Sequence, residues 1–192
     1  LSARPPRRYA TLLALAFLAD GAHAEGCDSL GENIFARGCS RIADTYRRGD
    51  IDVILSGYSY HIPGTWSAER RAELNSEAWG FGLGKTTEDP DGDTHTVFYL
   101  GFKDSHGHLE NQVGYAYNTF WGPRDGLQVG LGYTAMMVQR PDIWNGWPFP
   151  ALLPLAALRY GKATLQATYI PTLSGSINHG STLYFFGRIT LK

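Results

Sequence analysis

Two short polar segments hold the residue types from which acid–base chemistry is built: Tyr58-Ser59-Tyr60-His61, and further on Leu100-Gly101-Phe102-Lys103-Asp104-Ser105. A histidine can carry a proton, a serine hydroxyl can attack or donate a hydrogen bond, and an aspartate can orient or polarise either. His61, Asp104 and Ser105 therefore contain what an acyl transfer needs. Judged on their types alone they are a weak signal, because three polar residues in loops are usually just solvated. No G-x-S-x-G elbow, H-E-x-x-H helix, P-loop or dinucleotide glycine motif accompanies them. His106-x-His108, taken with His95 or His179, matches no ligand spacing, and no metal and no cofactor are expected.

These residues need a scaffold that brings them to one place. The chain has 192 residues, 23 of them glycine, with 13% aromatics, which favours one β-rich domain. Its net charge of −1 is spread without a basic stripe, so nucleic acid is excluded as a partner class. Beyond residue 50 hydrophobicity alternates with a period of two, in eight runs separated by turn signals: Val53–His61, Ala78–Lys85, Thr94–Lys103, Leu109–Phe120, Leu127–Val138, Leu152–Tyr160, Ala163–Ile170 and Thr182–Leu191. In an up-and-down barrel the first and third strands run the same way, so His61 and Asp104-Ser105 emerge at one rim.

Period alone does not say which face of such a barrel is greasy. A soluble lipid-binding barrel turns it inward, a membrane barrel outward. Connection length separates the two. Ile62–Glu77, Gln139–Ala151 and Pro171–Ser181 are long and fall on one side, whereas Gly122–Gly126 and Tyr160-Gly161-Lys162 on the other are tight, which is the habit of outer-membrane barrels. Trp121, Trp144, Trp147, Phe149, Tyr160, Tyr169 and Tyr184 lie near strand ends, as an interfacial girdle requires. Gly114, Gly130 and Gly132 fall on the inward face and leave room in the lumen.

The region before the strands divides in two. Residues 1–24 read as a signal peptide: Arg4, Arg7 and Arg8, then an apolar stretch from Ala10 to Leu18, then Ala22-His23-Ala24 as the cleavage site, which sets the mature start at Glu25. Residues 25–50 read as an amphipathic helix region, with Leu30, Ile34, Ile42 and Tyr46 on one face and an interruption expected at Gly38. That face can pack on the barrel or rest at a membrane interface. Cys27 and Cys39 can pair in an exported protein, or remain thiols.

Several segments together resemble the outer-membrane lipid A palmitoyltransferase family, PagP. They are Trp79-Gly80-Phe81-Gly82-Leu83-Gly84, Gly101-Phe102-Lys103-Asp104-Ser105, Val129-Gly130-Leu131-Gly132-Tyr133-Thr134-Ala135, Pro150-Ala151-Leu152-Leu153-Pro154-Leu155-Ala156 and Ala167-Thr168-Tyr169-Ile170-Pro171. They recur in order and span most of residues 40–192. The resemblance implies an all-β fold: an eight-stranded antiparallel up-and-down transmembrane β-barrel over residues 51–192, preceded by an N-terminal amphipathic helix. It implies a monomer in the outer membrane of a Gram-negative bacterium, moving a palmitoyl chain from a glycerophospholipid donor to lipid A. His61, Asp104 and Ser105 match the family's catalytic positions. Pro154 and Pro171 match prolines that weaken the wall and form a lipid gate, while the opposite pair is replaced by Ser56 and Ala78. Ala116 stands where the best-known member has glycine at the floor of the acyl well, and Leu191-Lys192 lacks the usual closing aromatic. The competing readings are a non-catalytic small barrel with a structural or adhesive task, and a soluble lipocalin-type barrel.

Overall fold

The computed structural model describes residue 27, residues 33–173 and residues 179–191. The expected signal peptide, residues 1–24, lies outside the described residues, as does the stretch just before the helix.

The first long element is the helix α1 (Ile34–Arg48), capped by Asn33, whose side chain accepts from the amides of Phe35 and Ala36 at 2.9 Å each. The helix is not interrupted at Gly38, contrary to expectation. A glycine inside a helix costs only about 1 kcal/mol relative to alanine, too little to break an element held by tertiary contacts. Those contacts are real here: Thr45 is fully buried and meets Thr87 at 3.1 Å, Arg41 pairs with Asp89 at 3.0 Å, and Lys85 Nζ donates to the carbonyl of Tyr46 at 2.8 Å. Cys27 and Cys39 form a disulfide, with Cα atoms 5.6 Å apart. The helix docks through Arg41, Thr45 and the Tyr46 carbonyl in its C-terminal half, while Ile34 and Phe35 in its first turn remain 70% and 75% exposed.

Eight strands follow: β1 (Asp50–His61), β2 (Glu77–Glu88), β3 (Thr94–Lys103), β4 (Leu109–Trp121), β5 (Leu127–Gln139), β6 (Phe149–Tyr160), β7 (Ala163–Ile170) and β8 (Thr182–Leu191). Each pairs antiparallel with its neighbour, and β1 pairs with β8 to close the barrel. A six-residue helix, α2 (Ala68–Glu73), and a 3-10 turn at Trp144–Gly146 sit in two of the long connections. The turns at the opposite end use left-handed glycines, including Gly92 at φ +95 and Gly161 at φ +56.

The greasy face points outward. Along β5, Leu127, Val129, Leu131, Tyr133 and Met137 are exposed while Gln128, Gly130, Thr134, Met136 and Val138 are buried. In the same way, Leu165 on β7 faces out and Thr164, Gln166 and Thr168 face in. Only a lipid environment makes such an exterior favourable, and the soluble-barrel reading falls. Trp121, Trp144, Trp147, Tyr160 and Tyr169 are exposed at strand ends, as a girdle requires. Tyr184 is not part of it: its parity on β8 turns the ring into the lumen, 3% exposed, stacked on Phe102 at 4.8 Å and on Phe186 at 5.7 Å. Phe149 is likewise half-buried, against the outer cavity.

The inward glycines do not leave simple voids. A Cβ on Gly132 would stand 1.8 Å from the carbonyl oxygen of Tyr117, so this glycine serves the close approach of β4 and β5. At Gly114 a Cβ would meet that of Met136 at 2.5 Å, so the space it frees is already filled by a neighbour.

Candidate active site

At the rim carrying the long connections, β1 ends on His61 and β3 runs into the turn Asp104–His108. The two strands run parallel in space, as alternation of direction dictates. Nε2 of His61 lies 3.0 Å from Oγ of Ser105, a hydrogen bond in which the hydroxyl donates when Nε2 is unprotonated. The imidazole is 8% exposed and meets the edge of Trp66 at 5.5 Å in a T-shaped contact. Trp66 is itself fixed by Nε1 donating to the carbonyl of Ser181 at 2.9 Å, so the β1–β2 and β7–β8 connections brace the histidine together.

Asp104 enters the same pocket but does not complete a Ser-His-Asp relay. Its Oδ1 accepts from the backbone amides of His106 and His108, at 2.9 and 2.8 Å, and its own amide donates to the carbonyl of His108 at 2.8 Å. The carboxylate thus builds the turn that presents Ser105. Its Oδ2 lies 3.4 Å from Nη2 of Arg140, which also pairs with Asp142 at 2.7 Å. Burial pushes the Asp142 carboxyl upward, but the Arg140 hydrogen bond and charge outweigh it and hold it below the usual range.

Below the pair lies a cavity of about 130 Å³ whose walls are mainly apolar: Phe102, Met136, Val138, Leu153 and Tyr184, with Gln112 and Glu110 among them. Met136 and Tyr184 also line a smaller space of about 20 Å³ deeper in the barrel, where Ala116, 6% exposed, forms part of the wall. The sequence reading placed Ala116 on the lumen, and it is there. It missed Met136 and Tyr184, which divide the well; their inward parity on β5 and β8 was the available signal. Beneath them Asp52 and Arg188, both buried and 3.7 Å apart, tie into Thr86 and Thr190: Asp52 accepts from these hydroxyls at 2.5 and 2.6 Å. The apolar well is therefore closed at its lower end by a polar layer.

The wall is irregular at two places. The β6–β7 ladder extends only from Tyr160–Ala163 to Leu155–Thr168, although β6 continues to Phe149 alongside β5. Pro154 brings no N–H to the unpaired stretch, and Pro171 follows the end of β7. On the other side, β1–β2 pairing is broken by a bulge between Ser56 and Tyr58, and Ser56 Oγ donates to the carbonyl of Ala78 at 2.6 Å.

The lipid-facing exterior of a closed eight-stranded barrel, and an apolar lumen that runs from a histidine–serine contact at the rim down to a polar layer, define an outer-membrane barrel protein. Residues 41–188 match the family described as antimicrobial peptide resistance and lipid A acylation protein PagP, and the chain belongs to that family. It is 38% identical over 182 residues to the lipid A acyltransferase PagP of Bordetella bronchiseptica, covering 94% of this chain and 97% of the relative. It is also 40% identical over 153 residues to the protein of that name from Legionella pneumophila, covering 80% of each. Among solved structures it is similar to Neisserial surface protein A, with a TM-score of 0.43 at 12% identity, over 73% of this chain and 96% of the other.

Proposed function

We propose that the protein transfers a palmitoyl chain from a glycerophospholipid to lipid A at the outer rim, as a monomer, with His61 and Ser105 at the centre of the reaction. The observation that carries the assignment of residues is the 3.0 Å contact between His61 and Ser105 directly above a closed apolar well, in a chain of this family. The acyl tail occupies the well while the ester stays at headgroup level. As the acceptor hydroxyl attacks the ester carbonyl, His61 receives its proton and returns it to the departing glycerol oxygen, so one ester forms as another breaks. Once protonated, His61 Nε2 donates to Ser105 Oγ, which leaves the serine O–H free to supply a hydrogen bond where negative charge develops on the carbonyl oxygen. Asp104 keeps the turn in shape, and the weakened β6–β7 wall beside Pro154 and Pro171 admits the lipid from the side.

Lipid A mass spectra from cells expressing variants test this reading. His61→Ala and Ser105→Ala are each expected to lower palmitate addition by about 10²-fold or more, with the barrel still folded and heat-modifiable. Near-normal transfer in both would remove His61 and Ser105 from the reaction.

A further inference from the structure

The turn between β3 and β4 carries side chains that acyl transfer does not use. The rings of His106 and His108 stack with centroids 6.3 Å apart, and each presents Nδ1 at 3.9 Å from Oδ2 of Asp104. The loop after β5 brings Asp142 to the same point: ligand atoms of Asp104, His106 and Asp142 all lie within 4.8 Å of one another. Oδ2 of Asp104 has no hydrogen-bond partner, although the residue is 5% exposed. A buried carboxylate oxygen without a donor is costly, so its environment calls for a cation. Arg140 only partly answers it: the guanidinium stands 3.4 Å away, is engaged by both oxygens of Asp142 at 3.1 and 2.7 Å, and also faces Glu110 at 3.8 Å. The carboxylates of Asp104 and Asp142 share one guanidinium, leaving the cluster net negative.

We infer that Asp104, His106, His108 and Asp142 form a binding site for a divalent transition-metal ion at the outer rim, with two imidazole nitrogens and two carboxylates as donors. Imidazole nitrogen favours Zn²⁺ or Co²⁺, whereas Mg²⁺ and Ca²⁺ prefer all-oxygen shells. Donors at about 2.0–2.2 Å from a tetrahedral metal stand roughly 3.4 Å apart. Among Asp104, His106 and Asp142 the separations of up to 4.8 Å need closing by little more than an ångström, and His108 joins them through its 3.9 Å approach to Asp104. The histidine side chains can make that adjustment, being half exposed on either side of Gly107, whose φ of +80 forms the turn. Asp104 is shared, its Oδ1 shaping the turn for the proposed acyl transfer and its Oδ2 facing the cluster, so the metal site is tested at His106, His108 and Asp142, which that transfer does not use.

The test uses the full protein without a histidine tag, purified in detergent, stripped with chelator and titrated with Co²⁺. Saturable visible d–d absorption of four-coordinate intensity is expected at about one equivalent. Zn²⁺ should displace it, and excess Mg²⁺ should not. His106→Ala, His108→Ala and Asp142→Asn are each expected to weaken binding tenfold or more, and the double histidine variant to abolish it, with heat-modifiable mobility unchanged. Absence of saturable binding at submillimolar Co²⁺, displacement by Mg²⁺ as readily as by Zn²⁺, or an unaltered band in the double histidine variant overturns the proposal.

Discussion

Replacing Ala116 by methionine is expected to shorten the acyl chain that the enzyme prefers, and the barrel geometry says by how much. Glu110 lines the outer cavity and Ala116 lines the deeper one, on the same face of β4. Six residues at about 3.4 Å each, on a strand tilted by about 40°, descend roughly 16 Å along the barrel axis. An extended methylene advances about 1.25 Å, from a C–C bond of about 1.5 Å and a near-tetrahedral angle, so about twelve carbons fit between these levels once Met136 swings aside. The rest of a palmitoyl chain reaches from Glu110 to the ester beside His61. A methionine at 116 fills about one layer of side chains, two residues or roughly 5 Å of axial depth, equivalent to about four methylenes. At about 0.8 kcal/mol per buried methylene, palmitate loses about 3 kcal/mol relative to a chain four carbons shorter, about two orders of magnitude in selectivity. Ala116→Gly removes a single methyl and is expected to tolerate palmitate equally or better. Purified variants given donor mixtures of defined chain length provide the assay. An unchanged length profile in a folded Ala116→Met barrel would place the floor elsewhere and refute the reasoning.

A disulfide across the unpaired stretch of β6–β7, made by Leu153→Cys with Ile170→Cys just above the last ladder pair Leu155–Thr168, is expected to slow transfer and to release it on reduction. The wild type under the same reductant is the reference, because its Cys27–Cys39 bridge opens too; equal turnover of crosslinked and reduced barrels would remove the gate. Asp104→Asn retains an oxygen able to accept from the amides of His106 and His108, so it is expected to keep transfer within about tenfold while Asp104→Ala loses about 10²-fold. Equal loss in both would mean that the charge, not the turn, is what the reaction needs. At the other end of the barrel, the hydrogen bond from His95 holds the Asp89 carboxyl below its usual range, with partial burial opposing and the charges of His95 and Arg41 adding to the depression. A depressed carboxyl stabilises above its unfolded pKa of about 3.9 and loses that contribution as pH falls through the lower folded value. Amide protection in α1 is therefore expected to hold at mildly acidic pH and to drop below the usual carboxylate range, and to drop at neutral pH in Asp89→Ala. Protection that does not respond to either change would detach α1 from Asp89.

The strands were legible because their alternation is local: each of the eight can be read from ten or so residues and its bounding turns, and all eight formed. The direction of the greasy face needed a second signal, loop asymmetry, and the exposed Leu127-Val129-Leu131 series agrees with it. The helix was misread at Gly38, where a local penalty of about 1 kcal/mol was outweighed by docking through Thr45 and Arg41, contacts to β2 and the β2–β3 turn that no helical window contains. Tyr184 was assigned to the girdle by its position near a strand end, although its parity with Arg188 already turned it inward. The candidate site divides along the same line. That His61 and Ser105 share a rim follows from counting strand directions, but what Asp104 touches does not. A carboxylate one residue before the serine suggests a relay to the histidine; the turn instead draws it back onto the amides of His106 and His108, because an aspartate at the start of a tight turn finds its acceptors' partners two and four residues on. That leaves its second oxygen facing Arg140 and Asp142 from the β5–β6 connection, residues whose approach depends on the barrel having closed. In sequence His106 and His108, set beside His95 or His179, matched no ligand spacing, and His95 indeed lies at the opposite end of β3, hydrogen-bonded to Asp89 and Tyr115. Chemistry assembled from one hairpin can be read from spacing. Chemistry assembled across two rim loops needs the circumference of the barrel, and that is a property of all eight strands at once.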